Sequence, residues 1–470
     1  MFDRISVIAV LVVAFLMAVL GACGDSSDAQ EDSLSGKTDS TEVEIPANLT
    51  FWEHVAPVVF ENCTPCHHEG GAGPFPLTSF GDLQKRTKTI RLVIADGYMP
   101  PWPADPNFST FKNQKILSAY EKAVILNWIE QGAPEGVRPD VLPQPKILVE
   151  ENLGPPDLII PFPENIAIDG VSRDKFFVAK LAFELPRDTV LKAMYFSPGN
   201  KQLIHHVNGH LINYEKYKKT DVFEGEWIAD AEQTDRAEVY SKMGLANDDG
   251  TYPPLLVSAF NYLPGVEPLA YPEGIGGVYI NQKGAFLLNT LHYGPSPVDI
   301  TDNSEIHLYF AEKKPERPLK ELQLGTLGIS PVEPEFVIPA NEISSFSTRY
   351  SVTEDISVLT VNPHMHLLGQ TFTAFAVSPN KQDTINLIHI PEWDFRWQYF
   401  YTYPTMLKIP KGYEIVANAT FDNTMENPLN PNKPPVTLKE GGAQMKTTDE
   451  MFQFFITYVP FRAGDENFKL

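Results

Sequence analysis

The chain has 470 residues, 43% hydrophobic and 21% charged, which argues against disorder and against a multi-span membrane protein. Its 37 basic and 60 acidic residues leave a net charge of −23, which repels phosphate backbones and argues against nucleic acid as a partner. The 41 prolines suit loop-rich β-folds better than helical ones, and three cysteines are too few for a disulfide framework.

Ile5 to Ala22 form an apolar run after Arg4, ending in Leu20-Gly21-Ala22-Cys23. Small residues before the break suit a signal peptidase. The run resembles a bacterial lipoprotein signal over residues 1–22, which implies cleavage and a lipid on Cys23. It is also about long enough to span a bilayer, so an uncleaved anchor is the alternative. Either way the chain is exported and tied to a membrane, in the periplasm or at the cell surface. The polar stretch 23–46 reads as a flexible tether.

Residues 47–138 are predicted to be the first folded unit. Cys63-Thr64-Pro65-Cys66-His67 is the spacing of c-type haem attachment: two thiols for the haem vinyl groups and His67 for the iron. A zinc half-site or a redox dithiol would use the same spacing. No second cysteine pair exists for zinc, and nothing nearby reads as a thioredoxin βαβ unit. Thr50-Phe51-Trp52-Glu53 has the form of a capping box opening a helix towards Cys63. A second helical pattern covers 82–95. A third opens at Ser118 with another capping box and stops near Gly132. This order resembles a small class I cytochrome c, which implies a separate all-α domain and a sixth iron ligand in the loop before the last helix. Met99 stands there, with His54 and His68 as rivals.

After a proline-rich linker (139–163) helical patterns nearly vanish. Residues 177–184, 356–361 and 452–458 are β-rich, and turn residues separate such stretches throughout. The pattern predicts two all-β jelly-roll or sandwich domains, 164–320 and 321–470.

Of the eleven histidines, several fall in this β-region in groups. His364 and His366 are two apart, so an extended chain turns both to one side, where they can meet one ion. His205 and His206 are adjacent, so a regular strand points them to opposite faces unless the backbone twists. His292 closes an apolar strand in Leu291-His292-Tyr293-Gly294, and taken alone reads as structural. Met451, in Asp449-Glu450-Met451, reads alone as core, although a thioether suits Cu(I).

Taken together and in order, His-His, His-Tyr-Gly, His-x-His-x-x-Gly and Asp-Glu-Met resemble the copper type II, ascorbate-dependent monooxygenases, with Gly441-Gly442 shortly before the last motif. The resemblance covers about residues 155–462. It implies two copper ions: one on His205, His206 and His292 for electron transfer, the other on His364, His366 and Met451 for dioxygen. It implies a hydroxylase that inserts one oxygen atom into an aliphatic C–H bond of an organic substrate. The electrons would come from an ascorbate-like reductant or a redox protein, and the single haem c at the N-terminal motif would relay them. The peptide-hydroxylating branch holds a substrate carboxylate with an arginine, an asparagine and a tyrosine. Here those positions are Asn362, Gln453 and Phe455, which argues against a C-terminal glycine peptide and for a more apolar substrate. His210 is a candidate auxiliary group, and His307 and His389 read as structural. A haem and copper lipoprotein that only carries electrons or binds copper is the alternative function.

Overall fold

The computed structural model describes residues 44–147, 153–231, 234, 236–266, 269–272, 274–439 and 448–470. The signal 1–22, Cys23, residues 23–43 of the tether and Gly441-Gly442 lie outside the described residues.

Ser118 and Glu121 close a capping box in which each side chain takes the other's backbone N–H, opening the helix Ala119–Glu130. Gly132, at φ +84°, follows its end. At Thr50 no such box forms. The backbone N–H of Thr50 donates to His54 Nδ1 instead (3.2 Å), and a π-helical turn, Phe51–Val55, leads into the helix Ala56–Asn62. The predicted helix over 82–95 is broken in two, Phe80–Gln84 and Thr87–Ala95. Phe51, Leu83, Ile94 and Trp128 pack together at the centre of these helices.

The β-region is built from antiparallel sheets in two pairs. In the first pair, one sheet runs through Leu158–Pro161, Glu305–Phe310 and Thr189–Ser197. The other runs Ile228–Asp230, Lys175–Glu184, Lys283–Tyr293, Ile204–Asn213, Leu255–Tyr262. Leu181, Met194, Phe286 and Ile306 meet between them. The second sheet buries both faces. Its outer side, with Val178 and Ala285, is covered by Val239 and Met243 in and just after the helix Arg236–Lys242. That explains strands apolar on both sides. In the second pair, the sheet Lys320–Gly325, Gln453–Pro460, Ile356–His364, Tyr401–Ile409 packs on a five-stranded sheet around Val358, Phe372, Phe421 and Phe454.

The expected architecture, a separate all-α cytochrome c domain followed by two β-domains, does not hold. Strands account for 36% of the structure and helices for 12%, and residues 45–470 form one compact unit. The physical reason lies in residues 98–115. This non-helical stretch leaves the helices and runs over the second sandwich, where Ala104 and Phe111 join the β-core. Its backbone is bonded there too: Asp105 N–H donates to His389 C=O (2.8 Å) and Lys112 N–H to Thr402 C=O (2.7 Å). Among the described residues no helix is long and apolar enough to cross a membrane.

Candidate metal centres

The problem of the adjacent pair His205-His206 is solved by a β-bulge. Across the strand pair, His292 faces His206 and Tyr293 faces Ile204, so His205 is the extra residue. The bulge lets both rings turn towards His292, each edge-on with ring centroids 4.9 Å away. Gly294 permits this, since a Cβ there would lie 2.2 Å from His205 Nε2. His292 stacks on Phe176 at 4.3 Å, and its Nε2–H donates to Asp174 Oδ1 at 2.7 Å. That leaves the His292 Nδ1 lone pair 3.2 Å from His206 Nδ1. Two nitrogens each about 2.0 Å from one tetrahedral ion lie about 3.3 Å apart, so the pair fits a shared metal. The donor atoms of Asp174, His205 and His292 lie within 4.8 Å of one another. Asp174 went unseen in the sequence, where nothing distinguishes it from other charged residues at a strand end.

The second cluster sits where the strand Ile356–His364 ends. His364 Nδ1–H donates to Gln398 Oε1 (2.5 Å) and His366 Nδ1–H to Asp449 C=O (2.9 Å). Gln398 Nε2 itself donates to Phe395 C=O (2.7 Å), which fixes Oε1 as the acceptor. His364 therefore keeps Nε2 free for a ligand, and the proton of His366 sits on Nδ1. The two ring centroids are 5.1 Å apart. Glu450 is buried behind them, and its carboxylate accepts the backbone N–H groups of His366 (3.0 Å), Leu368 (2.6 Å) and Met451 (3.2 Å). One side chain thus ties the Met451 segment to the His-x-His segment. Burial pushes Glu450 up to about 8, against these three donors, which favour the anion.

Burial, then the neighbouring His292, brings His205 down to about 4. Burial, then His366, brings His364 down to about 3. His206 is depressed by burial and by His292, His205, His364 and His366. The rings are therefore neutral near pH 7, as metal ligation requires. The influence of His364 and His366 on His206 shows that the two clusters are neighbours. Phe395 stands between them, edge-on to His206 and to His366 at 5.7 Å each.

Phe395 belongs to the loop 394–399, which the sequence did not single out. Within it Gln398 holds His364, Arg396 donates to Tyr98 Oη (2.8 Å), and Tyr399 Oη donates to Pro101 C=O (2.9 Å). The loop joins both clusters to the stretch that follows the helices.

In the Cys-x-x-Cys-His motif, His67 N–H bonds Cys63 C=O (2.9 Å), placing all three side chains on one turn. His67 Nδ1–H donates to Phe75 C=O (3.0 Å), leaving Nε2 free. Cys63 and Cys66 are free thiols. Burial, then Cys66, pushes Cys63 up to about 12, and burial raises Cys66 against Lys115. A redox dithiol needs the opposite shift. A buried indole N–H without an acceptor, on Trp102, lies three residues after Met99. These groups fit a haem held by two thioethers and His67. Met99 sits on the turn after the helix Thr87–Ala95, its N–H bonded to Val93 C=O (3.0 Å).

His54 is bonded to Thr50 and His68 Nδ1 to Thr64 C=O (2.9 Å). His307 pairs with Glu305 (2.5 Å) and His389 with Thr373 (2.9 Å). His210 lies further along the strand of His206, opposite Leu287. Asn362 Nδ2 is committed to Tyr399 C=O (2.8 Å) and Gln453 Nε2 to Thr326 C=O (2.8 Å). Phe455 is buried opposite Asn362.

No family model matches this chain, and no curated protein matches it. Among solved structures, the infectious bursal disease virus VP2 subviral particle aligns with 66% of this chain and 72% of its own, at 9% identity and a TM-score of 0.18. The structure of infectious bursal disease virus Gx strain aligns with 71% and 80%, at 9% identity and a TM-score of 0.13. Likenesses at these scores carry no argument about fold or function.

Proposed function

We propose that the protein is an exported, lipid-anchored copper monooxygenase that hydroxylates an aliphatic C–H bond with dioxygen and is fed electrons through a covalently attached c-type haem. The observation that carries this reading is convergence. Five histidines from three separate parts of the sequence form two neighbouring clusters, in which His205, His206 and His364 are held in the neutral form by burial. Zinc, which has no redox chemistry, would give no role to a haem motif in the same compact unit.

His205, His206 and His292 would hold one copper and His364, His366 and Met451 the other. Cys63, Cys66, His67 and Met99 would hold the haem. When bound, the coppers supply one-electron storage and dioxygen chemistry, and the haem supplies electron relay. The chain's own groups prepare those sites. Asp174 keeps the His292 proton on Nε2, and Gln398 and the Asp449 carbonyl keep the protons of His364 and His366 on Nδ1. Glu450 fixes the Met451 segment against His366. Phe395 fills the space between the clusters with an apolar ring. The overall reaction takes one dioxygen, two electrons and two protons, converting C–H to C–OH and releasing one water. Asn362, Gln453 and Phe455 in place of carboxylate-binding groups support a neutral, apolar substrate.

The test is metal and haem stoichiometry on the chain matured in a haem-attaching host and loaded with copper, followed by dioxygen uptake against apolar substrates. Two coppers and one haem per chain, with substrate-dependent uptake, are expected. One copper or none with haem intact would overturn the hydroxylase. Full occupancy without uptake for any C–H substrate would favour an electron carrier.

A further inference from the structure

The loop 394–399 touches both histidine clusters and reaches the cysteine motif through Lys115 and Gly265. At one end is the cysteine motif. Gly265, at φ +70°, lies so close to Cys66 that a Cβ there would come 2.1 Å from its sulfur. Lys115 Nζ bonds Gly265 C=O at 2.6 Å and sits 5.5 Å from the centre of the Tyr399 ring. Tyr399 also packs on Trp102 (5.2 Å) and parallel to Trp397 (6.1 Å, 10°). At the other end, Gln398, next in the chain, bonds His364, and Phe395 lies edge-on to His206 and His366.

The loop is also fixed. Arg396 pairs with Asp394, Trp397 N–H bonds Asp394 C=O (2.9 Å), and Asn261 and Asn362 cap the carbonyls of Gln398 and Tyr399 (3.0 and 2.8 Å). Electron tunnelling falls off exponentially with distance and falls off more slowly through bonds, hydrogen bonds and packed rings than through gaps. A rigid path of such links is what a relay requires.

We propose that the loop 394–399 is the conduit from the Cys63–His67 motif to both histidine clusters, with Tyr399 at the donor end and Phe395 between the clusters. The proposal rests on the haem and copper reading above. In each passage one electron leaves ferrous haem, giving ferric haem, and converts one cupric ion to cuprous. A one-electron reductant of the ascorbate class, or a redox protein, restores the ferrous haem. Two passages supply one turnover. No proton need cross, because the Nδ1 protons of His364 and His366 stay with Gln398 and Asp449.

The experiment is flash photoreduction of the haem by an excited flavin donor under argon. It uses the full chain carrying haem and cupric ions, with haem reoxidation followed by absorbance and cupric loss by EPR. Wild type is expected to show a fast phase independent of protein concentration. Tyr399→Leu should lose that phase while keeping the haem spectrum and copper content, and Tyr399→Phe should retain it. A fast phase unchanged in Tyr399→Leu overturns the conduit and leaves the relay standing. No fast phase in fully loaded wild type overturns the relay reading itself. If Tyr399→Leu fails to retain haem or copper, Lys115→Met carries the test. It loosens the contact beside Cys66 and should slow the phase, and an unchanged rate overturns the proposal.

Discussion

The two histidine clusters are built from the same side chain in opposite ways. The first rests on paired strands, with His206 directly across from His292, and its outer partner is the carboxylate of Asp174, half exposed to solvent. The second rests at the end of a strand. Its ring partners include an amide and a backbone carbonyl, and the buried Glu450 carboxylate beside it is spent on backbone N–H groups. An anionic partner raises the basicity of an imidazole and favours the higher charge on an ion it holds. Neutral partners and a thioether favour the lower charge. Under the proposed copper reading, the two surroundings would suit different oxidation states, the second the reduced ion.

Substitutions can break this contrast. The largest effect is expected from Met451→Ile, a swap of similar volume at a buried position. It should remove one copper of the two and all substrate-dependent dioxygen uptake, with the haem spectrum unchanged, as read by metal analysis and an oxygen electrode. Gly294→Ala should strike the other cluster alone. Its new Cβ would meet His205 Nε2 at 2.2 Å, so the ring must leave. EPR should then show loss of the first cupric signal and survival of the second.

Asp174→Ala sharpens the comparison further. Loss of a partner that orients a metal-binding histidine typically costs roughly 10–100-fold in affinity, and the loss should be confined to the first site in competitive copper titrations. Asp174→Asn, which keeps an acceptor oxygen, should recover most of it. The smallest change is expected from Glu450→Gln. One acceptor oxygen becomes a donor facing backbone N–H groups, which should cost about 1–3 kcal/mol of stability in denaturant titrations and weaken copper only at the second site. Equal losses at both sites from either substitution would mean that the clusters act as one unit.

How much of this was legible depends on how locally each feature is determined. The strand ending at His364 and the helix opening at Ser118 follow from periodicity and one capping box, which are local. The box at Thr50 was legible and misleading, because His54 offers the Thr50 N–H another acceptor. The separate helical domain failed for a non-local reason: residues 98–115 have no periodicity of their own and take their place from the β-core they cover. Asp174, Gln398 and Phe395 were invisible for the same reason. Each acts on a histidine distant in sequence, and nothing in its own neighbourhood announces that.

The contact between Gly265 and Cys66 has a consequence for the order of assembly. The cysteine motif is synthesised long before Gly265, which will lie against its sulfur. Chemistry on that sulfur is easiest in the interval between the two, while the thiol is still open. Any enzyme that modifies Cys66 therefore works on an unfinished chain, and the β-region closes over the product.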